Sequence, residues 1–280
     1  MNKRIFDNFK LYLERNKINY LYIGIIILLI IVSVLANFSP YDPNEINITN
    51  KLLRPNSRHI FGTDDLGRDY FTRALYGGRV SLTVGFLSMI ISITIGTLVG
   101  AISGYFGGMV DSIVMRIIDI LMSIPSFFII LIINAHFKPG IISVILIIGL
   151  FGWMGVARVV RSETLSIKER EYVLSSKLLG ASHFWVIFKH IIPNLMSTVI
   201  VSSTINVATS ILMESSLSFL GLGVVEPYSS WGSMLRNAQE YIEEAPYLAI
   251  FPGLLILLTV LSFNIIGDIL RESLAPNNTD

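Results

Sequence analysis

The amino-acid sequence predicts an all-α, polytopic membrane protein with about six transmembrane helices. Three observations carry this. The 280 residues are 52% hydrophobic and only 15% charged, against about 45–50% and about 25% in soluble domains. Six segments of 18 to 27 residues contain no Asp, Glu, Lys or Arg. A helix rises about 1.5 Å per residue, so the roughly 30 Å hydrocarbon layer takes about 20 apolar residues, whereas helices of globular proteins average about 11–12.

In chain order the segments are 20–38, 80–106, 120–137, 139–157, 195–213 and 246–267. The first follows a polar, basic stretch without a small-residue cleavage site, so it is expected to stay in the protein as an anchor. The second carries Gly85, Gly96, Gly100 and Gly104, whose i, i+4 spacings predict close packing against a neighbouring span. Lys138 alone joins the third to the fourth, with Pro139 and Gly140 opening the next helix, which predicts a tight turn between antiparallel neighbours. Apart from tyrosines, His136 is the only ionisable side chain inside the six segments.

Lys and Arg concentrate on the cytoplasmic side of membrane proteins. With six spans, the side shared by both termini carries thirteen of them and the opposite side eight, so N- and C-termini are expected to be cytoplasmic. The fifth-to-sixth loop, with Glu226, Glu240, Glu243 and Glu244, is acidic and is expected outside. With Trp231, it is a candidate surface for an external protein.

Several function classes drop out. The chain has no cysteine, which removes thiolate metal sites, thiol nucleophiles and disulfides. A net charge of +1 gives no bulk attraction for nucleic acid. No Gly-Lys dipeptide occurs, so the phosphate loop of an ATPase is missing. No cofactor is expected, and the chain is not expected to be an enzyme. A secondary transporter would predict midspan carboxylates or broken helices with an internal repeat; neither is legible. A membrane-embedded enzyme would need a clustered catalytic set, and His59, His136, His183 and His190 are scattered.

The loop at 158–193 is polar yet helical in pattern. Glu171 to Leu179 are mostly good helix formers, Gly180 can supply a left-handed residue, and Ser182 reads as the N-cap of a second helix. Phe184, Ile187, Phe188 and Ile191 then fall on one helical face before Pro193 interrupts it. A helix-turn-helix has this outline, but a segment tethered between two spans suits DNA poorly. An amphipathic connector on the membrane surface and a docking element for a cytoplasmic partner both fit the spacing.

Residues 171–194 (EYVLSSKLLGASHFWVIFKHIIPN) resemble the cytoplasmic loop of inner-membrane permeases from binding-protein-dependent ABC importers, in the dipeptide, oligopeptide and nickel group. The family's pattern is E-A-A, three residues, Gly, nine residues, I-x-L-P. Gly180 and Pro193 match it, while Leu174, Ser175 and Ser176 stand at E-A-A and His190 at the first Ile. Glu171 lies one turn earlier. Residues 61–85, containing GTDDLGRD, are similar to the family's external segment, and 214–232 and 263–276 to its fifth-span exit and C-terminus.

The resemblance implies a type I ABC importer permease fold that pairs with a second homologous permease, two cytoplasmic ATP-binding subunits and an external substrate-binding protein. It implies three regions: 1–79 with the first span and an external segment, an 80–270 core containing the coupling loop 158–193, and a 271–280 tail. The coupling residues implied are Glu171, Leu174, Ser175, Ser176, Leu178, Gly180, Ala181 and Pro193, with Leu174, Leu178 and Leu179 as apolar anchors. The cargo stays open between peptides and nickel or another chelated metal.

Ionisable residues inside a membrane usually mark function, and here Arg116, Asp119, Glu214 and Asp268 sit at span ends, where snorkelling or interfacial pairing is the plainer reading. Asn206, Ser210 and Glu214 are the candidate pathway residues. Asn134, Asn206, Ser210 and Asn264 are equally explained by interhelical hydrogen bonds. Asp64, Arg68 and Asp69 either pair with one another or meet a partner.

Overall fold

The computed structural model describes residues 18–137 and 140–274. The basic N-terminal stretch, the turn predicted at Lys138–Pro139 and the last residues of the tail lie outside the described residues. Helix α1 (Ile18–Val34) runs into a 3-10 turn (Leu35–Phe38), and a long segment leads to α2 (Tyr70–Phe106). Then come α3 (Gly108–Met122), α4 (Ser126–His136) and α5 (Ile141–Ile167). Two short helices, α6 (Glu171–Leu178) and α7 (His183–Val186), precede a π turn (Ile187–Ile191) and α8 (Ile192–Phe219). The bundle closes with α9 (Trp231–Ala238) and α10 (Tyr247–Leu274).

Among the described residues five helices are long and apolar enough to cross a membrane, and α3 with α4 is a candidate sixth span, bent by 77°. The packing of α2 on α5 makes that bent pair a crossing. Ser88 Oγ donates to Ile145 O (3.1 Å) and Ser92 Oγ to Gly149 O (2.9 Å). A Cβ added at Gly96, Gly100 or Gly104 would meet Trp153 O, Ala157 O or Arg161 O at 2.8, 2.5 and 2.9 Å. Each step of four on α2 is a step of four on α5, so the two helices run parallel. The chain must therefore traverse the bundle once between them, through α3 and α4.

The predicted segments overlap every span but miss several of the ends. Helix α2 starts at Tyr70 rather than 80, because Asp69 caps it by accepting from Thr72 N (2.7 Å) and its first turns are buried in the bundle. Helix α5 continues past 157 to Ile167. The third segment is not one continuous helix. Pro125 has extended backbone (φ −55, ψ 122), and proline disfavours helical geometry in the residue before it.

Pro193 does not end a helix either. It stands in the first turn of α8, and the π turn ahead of it, with Ile192 N bonded to Ile187 O, carries the helix through. Proline lacks the N–H and clashes with the carbonyl four residues back; one inserted residue relieves both.

The i, i+4 glycines pack as expected. Gly100→Ala puts a methyl 2.5 Å from Ala157 O and 2.9 Å from Val160 Cβ, and should destabilise the subunit by about 1–3 kcal/mol. Thermal unfolding in detergent checks this against Gly24→Ala, where a Cβ meets nothing within 4 Å and no loss is expected.

Candidate functional site

At the end of the bundle where α2 finishes, the α5–α8 loop folds into two helices joined by a tight turn. Gly180 has φ +83. Its N–H bonds Lys177 O (3.0 Å) and Ala181 N bonds Ser176 O (3.1 Å), a Schellman closure of α6. Ser182 caps α7 by accepting from Trp185 N (3.3 Å). The pair is rooted in the bundle by buried Val173, Val186, Ile187 and Ile191, which pack with Tyr105, Val160 and Ile167. Tyr105 of α2 holds both arms: its hydroxyl lies 3.0 Å from His183 Nδ1, and Lys177 Nζ sits 4.7 Å from its ring centroid.

The tip of the loop is apolar. Leu178 and Leu179 at the tip are 89% and 88% exposed, and Leu174, Phe184, Trp185 and Phe188 are exposed beside them. Glu171, in the first turn of α6, and Ser175, Gly180 and Pro193 are also exposed; Ser176 and Ala181 are half-buried. The predicted single face of Phe184, Ile187, Phe188 and Ile191 is split: Ile187 and Ile191 are buried, whereas Phe184 and Phe188 point outward. The π turn alters the helical phase that the 3.6-residue pattern assumes.

Midway along the bundle, the α3–α4 bend, α5 and α8 line an open cavity of about 350 Å³. Asn206, Thr209 and Ser210 contribute its polar side, facing Phe151, Gly152 and Gly155. Asn206 Oδ1 is buried without a hydrogen-bond partner among the described residues. Glu214, one turn beyond Ser210, is not among the lining residues. Its side chain is fully buried. It accepts from Ser218 Oγ (2.6 Å), Ser81 Oγ (2.9 Å) and Ser215 Oγ (3.4 Å). Neither snorkelling nor interfacial ion pairing describes it.

At the opposite end Asp64, Arg68 and Asp69 pair internally. Arg68 donates to Asp64 (2.7 Å) and to Glu226 (2.9 Å), and Arg73 approaches Asp64 at 3.4 Å. Asp69 bonds His59 Nδ1 at 2.8 Å. The hydrogen bond from Arg68 holds the Glu226 carboxyl below the usual glutamate range, while burial and then the neighbouring Asp64 charge push the Asp65 carboxyl up. This network ties the segment before α2 to the segment before α9. Trp231 is 1% exposed and donates to Ala74 O (3.0 Å), so it belongs to the core rather than to an outer surface. At the other end of α2, Asp111 and Asp119 of α3 pair with Arg161 and Arg158 of α5.

Sequence reasoning missed the burial of Glu214, although its i, i+4 spacing to Ser218 is a signal on a helix. It also missed Arg73, which resembles any interfacial arginine until Asp64 is placed beside it.

A bundle of six spans with a semi-polar cavity at its middle, an apolar-tipped loop at one end and a charge-paired closure at the other defines a polytopic membrane transport subunit. The chain belongs to the family of binding-protein-dependent transport system inner membrane components, which it matches over residues 96–279. It is 40% identical over 262 residues to the oligopeptide transport system permease protein OppC of Bacillus subtilis (strain 168), covering 93% of this chain and 86% of that one. Over 266 residues it is 40% identical to the dipeptide transport system permease protein DppC of the same organism, covering 94% and 83%. Among solved structures, a crystal structure of an amino acid ABC transporter with histidines aligns at TM-score 0.50 and 12% identity, over 68% of this chain and 89% of that chain; this likeness concerns the fold alone.

Proposed function

We propose that this chain is the permease subunit of a peptide importer, forming half of the translocation pathway and coupling it to ATP hydrolysis performed by partner subunits. The carrying observation is the loop: two short helices, set by a Schellman turn at Gly180 and rooted in the bundle core, present Leu178, Leu179, Phe184 and Phe188 to solvent. Exposed side chains of this size on a rigid support are what helix-in-groove recognition uses, and rigid rooting lets a partner's displacement reach α8.

In this reading the loop is cytoplasmic, as are both termini, and it docks into a cleft on an ATP-binding subunit. Two such subunits, a second homologous permease and an external substrate-binding protein complete the assembly. The division into 1–79, 80–270 and 271–280 follows the same logic. Asn206 and Ser210 line the path, while Glu214 supports α8 from behind. The peptide cargo is favoured over nickel by relatives named for oligopeptides and dipeptides.

The test is to purify the chain with its associated proteins and measure binding of peptides and of nickel to the external partner, together with substrate-stimulated ATP hydrolysis. Peptide binding and peptide-stimulated hydrolysis are expected. Nickel binding with no response to peptides overturns the cargo assignment.

A further inference from the structure

Ser176 of α6 and His190 of the π turn touch each other: Ser176 Oγ lies 3.0 Å from His190 Nε2. They are also two of the positions at which this chain departs from the pattern that its loop resembles, Ser176 standing at the second Ala of E-A-A and His190 at the first Ile of I-x-L-P. We propose that the two form a positioning pair, whose hydrogen bond fixes the angle between α6 and the helix entering α8, so that the apolar tip and the fifth span move as one body. This rests on reading the loop as the coupling element.

The donor can be assigned. A serine hydroxyl has one hydrogen, and that of Ser176 goes to Tyr172 O at 2.8 Å. His190 Nε2 therefore carries the hydrogen and donates, as it does in one neutral tautomer and in the cation alike. The ring is also held by its neighbours. Trp185 packs edge-on to it with centroids 5.0 Å apart, and Tyr172 of α6 lies at 5.7 Å. The π turn does the rest: Ile187 and Ile191 stay buried, while His190 is turned toward α6.

The two departures suit one another: with an alanine at 176 the His190 N–H would lack the protein acceptor that Ser176 Oγ supplies. Together they replace an apolar contact by a directional one. The remainder of the loop does not depend on it, since Val173, Val186, Ile187 and Ile191 stay packed and Tyr105 still holds His183.

The experiment uses the assembled transporter in lipid, with the variants Ser176→Ala, His190→Ile, the double variant, His190→Gln and Leu178→Asp. Each single variant should lower peptide uptake per ATP hydrolysed by about fivefold, the shift in population that one hydrogen bond commands. The double variant, which restores an apolar pair, should recover to within about twofold, and so should His190→Gln, which keeps a donor. Because the chain has no cysteine, spin labels on cysteines placed at the exposed positions Glu171 and Lys189 report the angle directly. The distance distribution should broaden in both single variants and narrow again in the double. Single-variant losses that simply multiply in the double variant, or wild-type distances and coupling in both single variants, overturn the pair. Leu178→Asp separates the two claims. If it abolishes uptake while the single variants behave as wild type, only the pair falls; if it leaves uptake intact, the coupling reading falls and takes the pair's role with it.

Discussion

Replacing Gly180 by asparagine, alanine and valine should reduce uptake and substrate-stimulated ATP hydrolysis in that order, valine abolishing both while the subunit still inserts and accumulates in the membrane. The order follows from the backbone. Gly180 has φ +83, and a Cβ placed there meets nothing within 4 Å. No neighbouring side chain therefore resists a substitution; the resistance is the left-handed conformation itself. That conformation costs an ordinary residue about 1–2 kcal/mol, costs asparagine less, and is a true outlier for a β-branched side chain. A valine escapes by abandoning the turn, which breaks the bonds from Gly180 N to Lys177 O and from Ala181 N to Ser176 O and swings Leu178 and Leu179 away from their position. Uptake assays on membranes with matched subunit levels measure this. Wild-type transport by the valine variant would remove the loop from the coupling mechanism.

The turn at Gly180 was legible because its chemistry is local: a glycine after a run of helix formers, then a serine with cap geometry. The span centres were legible because hydrocarbon thickness imposes a length on apolar runs. The ends were not, since α2 begins with polar residues such as Thr72 and Arg73 that are buried against Ser39, Pro43 and Asp64 of the preceding segment rather than by lipid. Periodicity failed at Phe184 and Phe188, because it assumes one helical phase and Pro193 imposes another through the π turn. The charged closure was half legible: the residues could be named, but Asp64, Arg68 and Glu226 meet across 158 positions of sequence, and no local pattern encodes that.

Glu214 is where long-range burial has the largest expected consequence for stability. Its carboxylate gathers hydroxyls from two helices: Ser215 and Ser218 from α8, and Ser81 from α2. Ser81 Oγ in turn accepts from Trp231 N, at 3.3 Å, which anchors the start of α9. One side chain thus joins three elements at a point with no access to water. Glu214→Ala removes every acceptor at once, leaves buried hydroxyls to find new partners and opens a void, for an expected loss of about 3–5 kcal/mol. Glu214→Gln keeps the shape and one acceptor oxygen, and the serine hydroxyls can rotate to accept from its amide, so a loss of about 1 kcal/mol is expected. Thermal unfolding of the purified subunit separates the cases: a large fall in Tm for alanine, a small one for glutamine, and an intermediate one for Ser81→Ala, which cuts the bonds to Glu214 and Trp231 together. A pathway carboxylate would behave in the opposite way, with glutamine impairing uptake at unchanged Tm. The fully buried geometry and the cavity lining by Asn206 and Ser210 instead of Glu214 place the expected effect on stability.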